Sequence, residues 1–141
     1  MKKLTTEKLR EALTDAENID SFLTENEESF VSKEVCSLLA ELFARKNISK
    51  SVLAKKAGTS AIYLHQIFSG KRNPSRNRLL CLCLAMEASV EETQELLQKA
   101  GYASLYPRRR RDSILIFALL HGQTPQKVND ELFLHGEDTL F

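Results

Sequence analysis

The stretch that decides the fold is residues 49–74, SKSVLAKKAGTSAIYLHQIFSGKRNP. Its first serine can cap a helix that Gly58 then ends. Either Thr59 or Ser60 can cap a second helix, which ends at Gly70. Two helices of about eight residues joined at a single glycine are linked too tightly to pack antiparallel, so the sequence predicts that they cross steeply.

A steep crossing of this kind is the geometry of a helix-turn-helix, in which the second helix projects its first turn outward and can enter a DNA major groove. The segments 53–60 and 63–74 resemble the lambda-repressor-like (Cro-type, XRE) helix-turn-helix family of transcriptional regulators. The resemblance implies a five-helix DNA-binding domain. In the two short helices, the residues expected to face inward are Leu53, Ala54, Ala57, Leu64, Ile67 and Phe68.

The resemblance also implies two sets of DNA contacts. The outward residues that match base-reading positions are Ala61, Ile62, Tyr63 and Gln66. The residues expected to bind phosphates are Lys50, Lys55, Lys56, Ser60, Lys71, Arg72 and Arg76. The chain departs from the family at Ala61 and Ile62, where glutamine, serine, asparagine or arginine is common. These two side chains can touch a thymine methyl but cannot hydrogen-bond a base. The alternative is that Ile62 and Tyr63 pack against another protein.

Helical periodicity continues on both sides of this stretch and predicts an all-α fold, because no segment alternates convincingly with a period of two. We expect three parts: an acidic N-terminal helical arm at 1–29, the helix-turn-helix domain at 30–101, and a C-terminal helical hairpin at 102–141. Within the domain, Ser75 and Ser89 are expected to cap the fourth and fifth helices.

The C-terminal hairpin carries its own signals. Asp112 can cap its first helix, and Thr124 followed by Pro125 can open its second. The apolar residues of these helices are Ile114, Phe117, Ala118, Leu120, Val128, Leu132 and Phe133. A shift of 35 residues aligns 79–106 with 114–141. The hairpin therefore resembles a second copy of the helix pair that closes the domain, and a chance similarity of two amphipathic helix pairs is the alternative.

Charge is segregated along the chain although the net charge is only +1. Residues 36–90 carry nine bases and two acids, and no acidic residue lies between Glu41 and Glu87. Both flanking segments are net acidic. Because a solvated surface normally mixes glutamate with lysine, this pattern favours a nucleic-acid contact surface.

A second basic feature is the run of four arginines at 108–111, at the start of a predicted helix. Cations at this position oppose the helix dipole, so helix stability does not explain them. They can contact DNA phosphates beside the domain, or they can pair with the acidic arm. The carboxylates of the arm are those of Asp15, Glu17, Asp20, Glu25, Glu27 and Glu28.

Composition argues against several other classes of protein. The longest apolar run, at 114–120, is too short to span a bilayer, and no secretory signal opens the chain, so we expect a cytoplasmic protein without membrane contact. Cys36, Cys81 and Cys83 lack the spacing of metal or disulfide motifs, and the histidines are scattered. We therefore expect no metal, no cofactor and no catalytic site.

Together these features predict a non-enzymatic transcriptional regulator that reads a DNA sequence in the major groove. A palindromic site requires a homodimer, and the apolar C-terminal hairpin is its expected interface. The flanking segments resemble those of an extended group of bacterial regulators. The alternative function is a protein–protein interaction module on a helix-turn-helix scaffold, with a regulatory protein as its partner.

Overall fold

The structure, a computed structural model, describes residues 4–26 and 31–141. These residues contain only helices and no strand, so the predicted all-α fold is confirmed. The helices are α1 (Thr6–Asp15), α2 (Ile19–Glu25), α3 (Val31–Arg45), α4 (Lys50–Lys56), α5 (Ala61–Phe68), α6 (Arg76–Ala85), α7 (Val90–Lys99), α8 (Arg110–Leu120) and α9 (Pro125–Leu134). None of them is long and apolar enough to cross a membrane. The boundary predicted between residues 29 and 30 lies outside the described residues.

Serine hydroxyls begin four successive helices. Ser49, Ser75 and Ser89 each accept a hydrogen bond from the backbone N–H three residues further on, as the sequence predicts. Of the two candidate caps for α5, Ser60 is the one used, and its Oγ accepts a hydrogen bond from the Tyr63 N–H at 3.0 Å. Each cap satisfies a backbone donor that the first turn of a helix leaves free.

Gly58 makes the sharp turn between α4 and α5. Its φ of +70° lies in the left-handed region, which favours glycine. The Thr59 N–H then donates to the Ala54 carbonyl at 2.9 Å, which closes the end of α4. After this turn α5 packs against both α3 and α4. The inward residues expected in α4 and α5 are buried, except for Phe68, which is half-buried.

One hydrophobic core joins the helix-turn-helix region to the C-terminal hairpin. Its buried residues run from Val35 in α3 to Leu140 beyond α9. Helix α6 lies at the centre and packs against α4, α7, α8 and α9. Leu80 of α6 and Leu115 of α8 are both almost fully buried. The hairpin therefore shares its core with the helices that precede it.

The start of α8 differs from the sequence prediction. Arg109, not Asp112, occupies the N-cap position, and its side chain makes no capping hydrogen bond. Asp112 lies inside the first turn and is buried. Its carboxylate accepts a hydrogen bond from the Tyr106 N–H at 3.0 Å and pairs with Arg76 at 3.6 Å. An acid in the first turn is still stabilised by the helix dipole, but the groups that bond the Asp112 carboxylate lie outside α8.

The sequence left open which apolar residues of the hairpin face the core. Leu115 and Leu119 are buried, whereas Phe117 and Leu120 are exposed. On α9, Phe133 is exposed as well. The run 114–120 is apolar on every side, so periodicity could not select the face that packs inward.

The shift of 35 residues relates the structures of α6–α7 and α8–α9. It places α7 on α9 from end to end, and α6 on all of α8 but its first residue. Equivalent amides also make similar hydrogen bonds, although the carbonyl that accepts the second bond is displaced by one residue. The Gln94 side chain bonds the N–H and the carbonyl of Leu105, and the Asn129 side chain bonds the N–H of Leu140 and the carbonyl of Phe141.

The two helix pairs contact each other reciprocally. Arg76 reaches the Asp112 carboxylate, and Arg111 donates to the Asn77 side-chain oxygen at 2.9 Å. The shift relates Arg76 to Arg111 and Asn77 to Asp112, so these are the same contact made in both directions. Likewise α6 packs on α9, and α8 packs on α7. Reciprocal contacts of this kind are typical of an approximate two-fold relation.

The two thiols on α6 are chemically inert. Burial raises the pKa of Cys81 to about 11 and that of Cys83 to about 12, so both stay protonated at neutral pH. Cys36 is half-buried, and its thiol donates to the Phe68 carbonyl at 2.6 Å. Among residues 4–26 and 31–141, no group of His, Cys, Asp or Glu side chains is placed to hold a metal ion.

Candidate nucleic-acid interface

The first turn of α5 projects from the surface. Leu64 and Ile67 anchor the helix in the core, while Ala61 and Ile62 face outward. Ile62 leaves 74% of its surface exposed, which is unusual for a side chain of this size. The helix is therefore anchored along one side and free along the other.

Gln66 lies one turn after Ile62 on the outward side of α5, since residues four apart share a helix face. It is half-buried, and its side-chain amide makes no hydrogen bond within the described part of the chain. Its backbone carbonyl instead accepts hydrogen bonds from the N–H groups of Lys71 and Arg72, at 2.9 and 3.2 Å. These bonds fix the basic loop against the end of α5.

Tyr63, the remaining residue predicted to read bases, has a different environment. Its ring is half-buried, with the guanidinium of Arg72 at 5.2 Å and that of Arg78 at 5.7 Å from the ring centre. Contacts of this geometry are attractive because the negative face of the ring favours a cation. Tyr63 thus orders two arginines beside the first turn of α5.

Five of the predicted phosphate-binding cations are exposed around α5: Lys50, Lys55, Lys56, Lys71 and Arg72. Within the described residues, none of the five forms an ion pair with a carboxylate. Lys50 lies over the Phe68 ring at 5.9 Å. The Ser60 hydroxyl accepts the capping bond and keeps its own proton to donate. These groups are exposed and positively charged or polar, and the sequence that carries them has no acidic residue from 42 to 86.

Arg76, also predicted to bind phosphate, is not free. Its Nε donates to the Ala103 carbonyl at 3.0 Å, and its guanidinium pairs with Asp112. The Asp112 carboxylate neutralises the positive charge of Arg76 that would otherwise attract a phosphate. Arg76 therefore links α6 to the C-terminal hairpin, which sequence alone could not show because Asp112 is distant in the chain.

Two residues that sequence reasoning missed support the turn at Gly58. Arg78 donates to the Gly58 carbonyl at 3.1 Å. The ring of Phe141 lies about 3.4 Å from the point where a Cβ on Gly58 would stand. A side chain at this position would therefore meet an aromatic ring as well as an unfavourable φ. The only sequence signal for Arg78 was its place in the acid-free segment, and Phe141 had no signal as a neighbour of the turn.

Comparison with known families matches residues 39–92 to a helix-turn-helix family model. The match covers α4, α5 and α6, the C-terminal half of α3 and the first turn of α7. Neither the curated proteins nor the solved structures compared with the chain give a match. The family is a DNA-binding one and is typically non-enzymatic. Residues 39–92 are therefore similar to the lambda-repressor-like helix-turn-helix DNA-binding domains.

Proposed function

We propose that this protein is a transcriptional regulator that binds duplex DNA sequence-specifically, with the first turn of α5 in the major groove. The observation that carries the proposal is the exposed start of α5, surrounded by five cations that have no carboxylate partner in the described part of the chain. Such a surface attracts the DNA backbone and presents side chains to base edges. The protein acts by binding rather than by catalysis, in the bacterial cytoplasm.

Few side chains of α5 are available to contact base edges. The free amide of Gln66 can form two hydrogen bonds with an adenine, through N6 and N7. Ala61 and Ile62 can contact the methyl group of thymine. We therefore expect A·T pairs at the positions that α5 contacts. Tyr63 contributes indirectly, because it holds Arg72 and Arg78 against the helix.

The five exposed cations and Ser60 are proposed to bind phosphates. Arg76 is not among them, because it links α6 to the hairpin. Five neutralised phosphates per subunit give an expected slope of about −4.5 for each half-site in a plot of log affinity against log salt concentration. If this surface does not bind DNA, DNA affinity should not depend on salt concentration with this slope.

The double variant Lys71→Ala/Arg72→Ala tests this assignment. We expect it to weaken DNA binding about 30-fold at about 0.15 M salt, and to flatten the slope to about −2.7, because two phosphate contacts are lost. Fluorescence anisotropy of a labelled duplex, selected by the wild-type protein from random oligonucleotides, measures both quantities. The matched control, Lys8→Ala/Arg10→Ala on α1, removes the same charge far along the sequence and should change neither. Absence of wild-type binding at low salt would contradict the proposal.

A second function is favoured by one observation, the apolar and exposed Ala61 and Ile62 at the start of α5. A helix of this kind can serve as a contact for a regulatory protein instead of DNA. The Lys71→Ala/Arg72→Ala variant separates the two functions. Loss of DNA binding with retained partner binding supports the first, and the reverse supports the second.

We also propose that the protein acts as a homodimer, with the C-terminal hairpin as its interface. Four large apolar side chains are exposed on α8 and α9: Phe117, Leu120, Phe133 and Leu134. The shift of 35 residues relates Phe117 to Leu82 and Leu120 to Ala85, which are both buried in the first helix pair. The second pair thus exposes positions that the first pair covers. A dimer would bury them and would match a palindromic site.

The double variant Phe117→Ser/Leu120→Ser tests the interface. We expect it to weaken dimerisation about 1,000-fold, because a homodimer loses these two side chains from each subunit and each contributes on the order of 1 kcal/mol when buried at an interface. Sedimentation equilibrium measures this as a shift from twice the chain mass of 16.0 kDa toward a single chain. Leu13→Ser/Ile19→Ser is the control, since it removes apolar side chains of similar exposure from the N-terminal arm. A wild-type monomer at high concentration would refute the interface.

A further inference from the structure

A second positive surface lies at the N-terminus of α8. Here a cleft of about 400 Å³ is lined by Arg76, Ala103, Arg109, Arg110, Arg111, Asp112 and Glu137. We call it the arginine cleft. Four of its seven lining residues are arginines and two are acids, so its net charge is positive. Arg108, which precedes it, is exposed.

The arginines of the cleft divide into two groups. Arg76 and Arg111 are bonded within the fold, to Asp112 and Asn77 respectively. Arg108 and Arg109 have no partner among the described residues, and Arg110 reaches only the His135 carbonyl at 3.5 Å. All three of these side chains are exposed. They place three charges at the positive end of α8, where repulsion from the helix dipole makes them unfavourable without an anion.

The described part of the N-terminal arm does not supply that anion. None of the carboxylates of Asp15, Glu17, Asp20 and Glu25 pairs with an arginine of the cleft. Three of them line a different cleft, which lies between α1 and α2. Glu27 and Glu28, the other acids predicted to pair with the arginines, lie outside the described residues.

A chain of contacts connects the arginine cleft to α5. Tyr63 of α5 lies under the guanidinium of Arg78, which belongs to the first turn of α6. In the same turn, Arg76 and Asn77 contact Asp112 and Arg111 of α8. The first turns of α6 and α8 therefore lie side by side, next to the surface from which α5 projects.

We propose that Arg108, Arg109 and Arg110 bind backbone phosphates of the same DNA, beyond the bases that α5 contacts. The inference rests on the proposed function, and it extends the contact surface along the duplex through the C-terminal hairpin. Arginine suits this role because its guanidinium binds phosphate through two parallel hydrogen bonds. Such contacts position the protein and add affinity without reading sequence.

The test compares the wild type with Arg108→Ala/Arg109→Ala/Arg110→Ala on two duplexes derived from the selected site. One has about 12 base pairs, enough for a single half-site, and the other about 30, with flanks on both sides. On the long duplex we expect the variant to bind about 100-fold more weakly at about 0.15 M salt, and its salt slope to flatten by about 2.7, because three phosphate contacts are lost. On the short duplex we expect wild type and variant to bind alike.

Two controls isolate the phosphate contact. The triple lysine variant, Arg108→Lys/Arg109→Lys/Arg110→Lys, keeps the charge and should keep most of the slope. Equal circular dichroism and melting temperature of all three proteins show that the fold is unchanged. If the wild type binds but the alanine variant keeps its slope on the long duplex, the inference is wrong while the proposed function stands. If the wild type binds neither duplex, the proposed function itself fails.

Discussion

Replacing Ile62 by glutamate is expected to abolish DNA binding and to leave the fold intact. The side chain is largely exposed on the first turn of α5, so a charge there remains in water and costs little stability in the free protein. In the proposed complex the same carboxylate would enter a groove bordered by phosphates, where like-charge contact costs several kcal/mol. The predicted loss of affinity is therefore at least about 100-fold.

Leu23→Glu provides the matched control for this substitution. Leu23 lies on α2 and is also exposed, so the change of charge is the same at a position outside the proposed interface. Anisotropy with the selected duplex measures affinity, and circular dichroism checks the fold. Equal binding by Ile62→Glu and the wild type would show that α5 does not enter the groove. Ile62→Ala adds a finer readout, since it should weaken preference for thymine at one position only.

Replacing Leu115 by alanine is expected to destabilise the shared core as a whole, including the distant helices α4 and α5. Leu115 is fully buried in a core that continues from α3 to the residues after α9. Removing a buried leucine side chain costs about 3 kcal/mol, because contacts are lost and a cavity remains. In a chain of this size the melting temperature should fall by about 10 °C.

The informative measurement is amide hydrogen exchange in α4 and α5, which lie outside the hairpin. If the core unfolds as one unit, slow exchange in these helices should accelerate as much as in α8. Leu13→Ala on α1 is the control, since that side chain is half exposed and its loss should cost well under 1 kcal/mol. Unchanged exchange in α4 and α5 would mean that the hairpin unfolds separately.

The helix-turn-helix could be predicted from sequence because its signals are local. Caps and turns depend on residues three or four apart, such as Ser60 with Tyr63 or Ala54 with Thr59, and chain order records these distances directly. Single glycines at helix ends and the periodic leucines indicated the remaining helices. The exposure of the first turn of α5 could also be predicted, because helical periodicity places Leu64 and Ile67 on the inward face and Ala61 and Ile62 on the outward face.

Contacts between distant segments could not be predicted in this way. Arg76 looked like a free cation until the structure placed Asp112 beside it. The inward face of α8 was ambiguous because its sequence is apolar on all sides, and the packing of α6, α7 and α9 against it selects Leu115 and Leu119. Arg78 gave no signal beyond its charge. These cases depend on partners that periodicity does not identify.

The contact between Phe141 and Gly58 connects the C-terminal hairpin to the turn before α5, the helix proposed to bind DNA. The aromatic ring packs against the turn between α4 and α5, so movement of the segment after α9 removes a contact from that turn. We therefore expect the orientation of α5 to depend on the position of this segment. A substitution that trims this ring would loosen the turn from a position some 80 residues away in the chain.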